Sequence, residues 1–237
     1  LREAGYKSIM VNCNPETVST DFDLADRLYF EPITFEDVMN IIDFEKPDGV
    51  LVQFGGQTPL KIANQLKEAG IKIFGTSSDS INLAEDREAF TKLVDKIGVT
   101  IPNYCIAKNY DEIVAYSEKA TFPVLVRPSY VLGGRAMQIV YSKKELVDYV
   151  FRSAEATSDH PILIDQFIEN AFEFDVDALC DGSDVFIAGI MQHIEEAGIH
   201  SGDSSCVLPA HKISNKVKKE IIDVTTRLAK ALNVVGL

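Results

Sequence analysis

Pro123-Val-Leu-Val-Arg-Pro-Ser-Tyr-Val-Leu-Gly-Gly-Arg-Ala-Met-Gln-Ile-Val140 decides the reading of this chain. An apolar strand ends at a cation, Arg127. A short loop with a glycine pair follows, and a second apolar strand leaves it. The pattern predicts a hairpin tipped by Gly133 and Gly134, with Arg127 before the pair and Arg135 after it. Glycines without Cβ atoms let backbone N–H groups approach an anion closely. Arginine presents a planar fork that matches phosphate oxygens. The segment reads as a phosphate clamp of a nucleotide-using enzyme, with an ordinary Gly-Gly hairpin as the alternative.

Around this hairpin the composition is that of a folded enzyme. The chain has 237 residues, 46% hydrophobic and 25% charged, which suffices for a sizeable core in one or two domains. A net charge of −13 makes long phosphate polymers and anionic membranes poor partners, so neither nucleic acid nor membrane is expected, while a local basic pocket for a small anion stays open. Cys13, Cys105, Cys180 and Cys206 are far apart and form no CxxC, and with four histidines a structural zinc site is not expected. The expectation is a reduced, cytoplasmic protein. The sequence shows no signal peptide and no apolar run long enough for a bilayer.

Residues 1–76 alternate strand and helix. Ser8–Asn12 reads as an apolar strand, and Thr34-Phe-Glu-Asp37 opens a helix to about Glu45. Val50–Phe54 is the next strand. Gly55-Gly-Gln-Thr58 is a tight loop before a helix from Pro59 to Gly70, and Ile71–Phe74 closes the unit. Such alternation argues for a parallel, doubly wound sheet. From Ser80 onward two helices packed on an antiparallel sheet occur twice over, which reads as α+β lobes. Both ends read as cut: Leu1–Gly5 resembles the last turn of a helix, and Val234–Leu237 the run-in to a strand.

Three further groups carry candidate chemistry. In Asp165-Gln-Phe-Ile-Glu169 a strand runs into a linker whose backbone can hydrogen-bond an adenine edge at Gln166 while Ile168 covers the ring. Glu173, seven residues past Gln166, can accept from ribose hydroxyls. A strand end followed by a solvated charge is the alternative. Gly198-Ile-His-Ser-Gly-Asp-Ser-Ser205 is a polar loop suited to lining a ligand. Within it, Gly198, Ile199, His200 and Ser201 come first, and His200 suits proton transfer or a structural hydrogen bond. Arg87, after Glu85-Asp86, reads as a solvated turn or as a cation delivered into a cleft. No Gly-x-Ser-x-Gly elbow supports a serine hydrolase.

With these segments together, the sequence resembles the carbamoyl-phosphate synthetase large-subunit family, specifically its carboxy-terminal, carbamate-phosphorylating half of ATP-grasp fold. The resemblance covers essentially the whole chain and rests on long strings. These are Met10-Val-Asn-Cys-Asn-Pro-Glu-Thr-Val-Ser-Thr-Asp21, Gln53-Phe-Gly-Gly-Gln-Thr-Pro59, Ala84-Glu-Asp-Arg87, Val126 to Met137, and His193 to Ser205. It implies a pre-ATP-grasp, Rossmann-like parallel-sheet domain at 1–78. An incomplete ATP-grasp domain of two α+β lobes would follow at 79–237, with the clamp lobe at about 100–168 and the second lobe at 169–237.

The resemblance implies that Arg87 and Arg127 are phosphate ligands. Gln166 and Ile168 match an adenine hinge, Glu173 the ribose contact, and Gly198, Ile199, His200 and Ser201 a second nucleotide-lining loop. Gly133, Gly134 and Arg135 sit in the clamp. ATP with Mg2+ or Mn2+ would be the cofactors and carbamate the acceptor. The rest of the large subunit and a small glutamine amidotransferase subunit would be partners, and cut edges would favour self-association. The family's metal ligands are expected beyond Leu237, so this chain alone is expected to be inactive. A biotin carboxylase would normally carry lysine at Arg127 and a longer glycine run. A non-catalytic nucleotide-binding scaffold need not bind ATP. A dehydrogenase would need a dinucleotide fingerprint, which residues 1–76 lack.

Overall fold

Short apolar runs punctuated by capping residues set the elements of the first ninety-seven residues. A computed structural model describes residues 1–128, 137–153, 162–196 and 204–237. β1 (Ile9–Val11) pairs in parallel with β2 (Arg27–Tyr29), Met10 lying opposite Leu28. Thr34 caps α1 (Phe35–Glu45), its hydroxyl accepting from the Asp37 N–H. β3 (Val50–Leu51) is shorter than its apolar run: Val52 turns into the core, and the Gln53 side chain binds Thr76 instead. The helix expected from Pro59 to Gly70 is split into α2 (Gln57–Leu60) and α3 (Ala63–Glu68). Between them, tight three-residue turns run from Lys61 N–H to Thr58 and from Ile62 N–H to Pro59, carrying Ile62 and Ala63 inward. β4 (Ile73–Phe74) pairs in parallel with β3. Ser77 and Asp86 then cap α4 (Ser78–Glu85) and α5 (Arg87–Lys96).

β5 (Tyr104–Ala107), α6 (Tyr110–Ser117), β6 (Val124–Pro128), β7 (Gln138–Val140), α7 (Lys143–Ser153) and β8 (Ile162–Gln166) follow. Their sheet has the order β5-β8-β6-β7, antiparallel throughout. Val124 and Val126 of β6, with Ile162 and Ile164 of β8, pack with Ile113 of α6 and Leu146 of α7. One face of the sheet is therefore closed by helices, and the alternate residues of the same strands line the other face.

The chain continues through β9 (Phe174–Asp181), β10 (Val185–His193), β11 (Cys206–Val207), α8 (Asn215–Ala231) and β12 (Val235–Gly236). These strands form a second sheet in the order β11-β10-β9-β12. The β9–β10 turn is held by the Asp181 carboxylate, which accepts from the Ser183 and Asp184 N–H groups, both at 2.8 Å. These two backbone donors, Asp184 first, hold the Asp181 carboxyl below its usual range.

Two compact units result. One comprises Leu1–Ile97, Val176–Gly189 and Ile213–Leu237; the other comprises Gly98–Asp175 and Ile190–Lys212. The first is centred on Val38, Ile42, Val52, Ile62, Ala63, Leu66 and Ile81. Its last strand is locked by a polar clasp. The Thr76 hydroxyl accepts from the Val235 N–H (3.0 Å) and the Gln53 amide (3.0 Å), and donates to the Val235 carbonyl (3.1 Å). Gly75 makes this possible. Its φ is +85°, and a Cβ there would lie 2.2 Å from the Gln53 Oε1. No described helix is long and apolar enough to cross a membrane.

Candidate functional site

The second unit carries most of the candidate residues. Across β6 and β8, Leu125 faces Asp165 and Arg127 faces Leu163. Arg127 and Asp165 are thus diagonal neighbours on the sheet face away from α6 and α7. There the guanidinium grips one carboxylate oxygen twice, Nε at 3.1 Å and Nη2 at 2.8 Å from Oδ2. The Arg127 side chain is 34% exposed and that of Asp165 19%. Asp165 fixes the plane of the fork while part of it stays accessible, an arrangement suited to presenting a preset cation to an anion.

The strand end that follows is already partly committed. The Gln166 N–H donates to the Asn103 carbonyl (2.7 Å) and the Phe167 N–H to the Pro123 carbonyl (2.9 Å). Both of these N–H groups are therefore engaged by backbone carbonyls of the protein. Ile168 is 54% exposed, leaving a face for a ring. Nearby Cys105 has its thiol pushed up by burial first and the Glu112 charge second, so it remains a thiol at neutral pH.

Glu173 precedes β9, and its carbonyl accepts from the His193 N–H at 3.0 Å. His193 is buried, and its ring lies between two carboxylates. Nε2 is 3.0 Å from Asp175 Oδ2, and Nδ1 is 3.9 Å from Glu173 Oε2. The β10–β11 pair sets His193 opposite Cys206. The Ser204 hydroxyl donates to Glu195 at 2.8 Å, which holds the half-buried Glu195 carboxyl below its usual range.

The candidates divide accordingly. Arg127, Gln166, Ile168 and Glu173 all belong to the second unit. Arg87 belongs to the first, where it opens α5 behind the Asp86 cap and its carbonyl accepts from the Thr91 hydroxyl at 2.7 Å. Gly133, Gly134, Arg135, Gly198, Ile199, His200 and Ser201 lie outside the described residues. Sequence reasoning gave no role to Asp165, Asp175 or His193. The signal for Asp165 was present: two apolar strands, each ending in a charge of opposite sign, are natural partners.

Similarity to known proteins gives the frame for this site. A family profile described as carbamoyl phosphate synthase preATP-grasp domain matches residues 1–83, and one described as carbamoyl-phosphate synthase L chain, ATP binding domain, matches residues 86–237. The chain belongs to the carbamoyl-phosphate synthase large-chain family. It is 58% identical over its whole length to the carbamoyl phosphate synthase large chain of Archaeoglobus fulgidus, and 57% identical to that of Pasteurella multocida. It spans 22% of the length of each.

Among solved structures it is similar in fold to the biotin carboxylase domain of Hydrogenobacter thermophilus 2-oxoglutarate carboxylase, a complex with MgADP, ADP and bicarbonate. The TM-score is 0.75 at 18% identity, covering 99% of this chain and 55% of that one. Biotin carboxylase from Campylobacter jejuni, in a β-γ-ATP complex, gives a TM-score of 0.74 at 17% identity, covering 99% and 56%. The fold is thus a pre-ATP-grasp parallel-sheet domain followed by ATP-grasp structure, as the sequence resemblance implied.

Proposed function

We propose that this segment binds ATP as part of a complete carbamoyl-phosphate synthase large chain, in which the terminal phosphoryl group passes to carbamate, giving carbamoyl phosphate and ADP, and that the segment by itself is inactive. The observation that carries the reading is the Arg127–Asp165 pair near the end of β6, a cation oriented in advance and still partly accessible. Phosphoryl transfer asks the protein for position and charge neutralisation more than for covalent chemistry. Arg127 balances phosphate charge, and Arg87, Gly133, Gly134 and Arg135 are the further phosphate contacts that the family resemblance implies. Ile168 covers adenine, Glu173 accepts from the ribose, and Gly198, Ile199, His200 and Ser201 are the further nucleotide contacts that the family resemblance implies. The strings around Asn14-Pro15 and Tyr130-Val131-Leu132 support the carbamate-phosphorylating half over the bicarbonate-phosphorylating one.

Magnesium accompanies ADP in the Hydrogenobacter thermophilus relative. Among the described residues no group of three His, Cys, Asp or Glu side chains could hold a metal ion. The remainder of the large chain and a glutamine-hydrolysing small subunit complete the system in the cytosol, a compartment that suits four free cysteines.

The test uses the full-length protein with bicarbonate, ammonia and ATP. Arg127→Ala is expected to abolish carbamoyl phosphate formation, by about 100-fold or more, as for loss of a transition-state charge partner. Bicarbonate-dependent ADP formation should persist. Loss of the bicarbonate-dependent reaction instead would assign this segment to the other half, and unchanged synthesis would overturn the proposal.

A further inference from the structure

We propose that Tyr104 is a specificity-determining residue of this nucleotide site, laying its ring against the purine base of ATP. The inference rests on the reading of Arg127 as a phosphate ligand and extends it to the other end of the nucleotide. Tyr104 stands directly opposite Asp165 across β5 and β8. The Gln166 N–H donates to the Asn103 carbonyl at 2.7 Å, so the neighbouring couple, Asn103 and Gln166, is the hydrogen-bonded one. Tyr104 and Asp165 then form a non-hydrogen-bonded couple, in which Cα atoms are about 4.5 Å apart and side chains come closest. Cys105 and Ala107, the alternates of Tyr104 on β5, pack into the core beneath α6 and α7. Tyr104 therefore shares the opposite face with Arg127 and Asp165.

Two rows of side chains cross that face. Ile106, Leu163 and Arg127 form one, and Tyr104, Asp165 and Leu125 form the next, two residues nearer the linker that carries Ile168. A strand spacing of about 4.8 Å and a rise of about 3.3 Å per residue separate the Arg127 and Tyr104 Cα atoms by about 12 Å along a diagonal. This matches the span from the outer phosphates to the base of an extended nucleotide. With phosphates at Arg127, the base lies over the second row, beside the linker. Tyr104 is the aromatic side chain of that row, and an aromatic ring gives a base a stacking surface whatever its hydrogen-bonding edge. The larger purine covers more of it than a pyrimidine does. Tyr104 is half-buried, and its hydroxyl has no hydrogen-bond partner among the described residues, so no such bond claims the phenol for the fold.

The experiment runs the proposed reaction in reverse in the full-length protein. The phosphoryl group leaves carbamoyl phosphate for the terminal phosphate oxygen of ADP or CDP, and carbamate is released. Tyr104→Ala is expected to raise the KM for ADP about tenfold, the loss that alanine substitution brings at a stacked base. Its kcat should stay within about twofold, because the base is remote from the reacting atoms. The KM for CDP should rise less than about threefold, so the preference for ADP narrows. Tyr104→Phe keeps the ring and should restore the ADP KM to within about twofold of wild type. Tyr104→Leu fills the half-buried position without a ring and should still raise that KM about threefold, which guards against a folding defect in the alanine variant. An ADP KM unchanged in both ringless variants, equal loss with ADP and CDP, or a fall in kcat with KM intact would reduce Tyr104 to a structural neighbour of Asp165 and overturn the proposal. Arg127→Ala tests the underlying reading separately: a reverse reaction untouched by it overturns the phosphate role of Arg127, and this inference with it.

Discussion

Asp165→Ala removes the carboxylate that sets Arg127. Two charge-assisted bonds end on its Oδ2, at 3.1 and 2.8 Å. Exposed ion pairs contribute about 0–1 kcal/mol, and breaking a fully buried pair costs about 3–5 kcal/mol. Side-chain exposures of 34% and 19% place this pair between those limits. A loss of about 2 kcal/mol follows for either single truncation, and with a urea slope of about 2 kcal/mol/M the midpoint falls by about 1 M. The double variant Asp165→Ala/Arg127→Ala leaves no orphaned charge and should be less destabilised than the sum of the singles by about 1–2 kcal/mol. The assay is urea unfolding of the four proteins followed by tryptophan-free far-ultraviolet dichroism, alongside ATP titration. Asp165→Ala should weaken ATP binding about tenfold although it touches no phosphate, because the fork must then be ordered during binding. Additivity within about 0.3 kcal/mol, or unchanged ATP affinity, would refute the reasoning.

Two further outcomes follow from the first unit. Thr76→Val strips the clasp of the hydroxyl that three groups share, and a buried loss of this kind costs about 2 kcal/mol; Thr76→Ser should restore most of it, read as urea midpoints. The Asp181 carboxyl is held below its ordinary value of 3.8, so its contribution to the β9–β10 turn is complete above that value and disappears as pH falls through the lower folded value. Asp181→Asn should therefore lose stability at pH 7 and converge on wild type in strong acid, with the Asp181 titration followed by NMR.

The sequence displayed the helices well because their caps are local. Thr34, Ser77, Asp86, Asn109 and Ser214 each accept from an N–H three residues on, a contact that needs no tertiary context. Strand limits were less legible. Val50–Phe54 is apolar enough for five paired residues, yet pairing stops at Leu51 because Gln53 is claimed by Thr76, twenty-three positions away. β2 escaped notice because Arg27-Leu-Tyr29 carries no alternation long enough to register. For the site, single residues with strong chemistry, Arg127 and Glu173, stood out. The support of Arg127 did not, since Asp165 lies 38 residues away. Partnership across that distance is a property of register, which short-range pattern does not carry.

The clasp at Thr76 has a consequence for biosynthesis. Its two sides are 159 residues apart, and the unit it closes is assembled from three separate stretches of polypeptide. A ribosome delivers Thr76 long before Val235, so the amino-terminal stretch must wait, unsealed, while Gly98–Asp175 emerges and collapses around its own nearly contiguous core. Until residue 235 has been made, the nascent chain holds the core around Val52 with local residues alone, while the Thr76 hydroxyl lacks its strand partner.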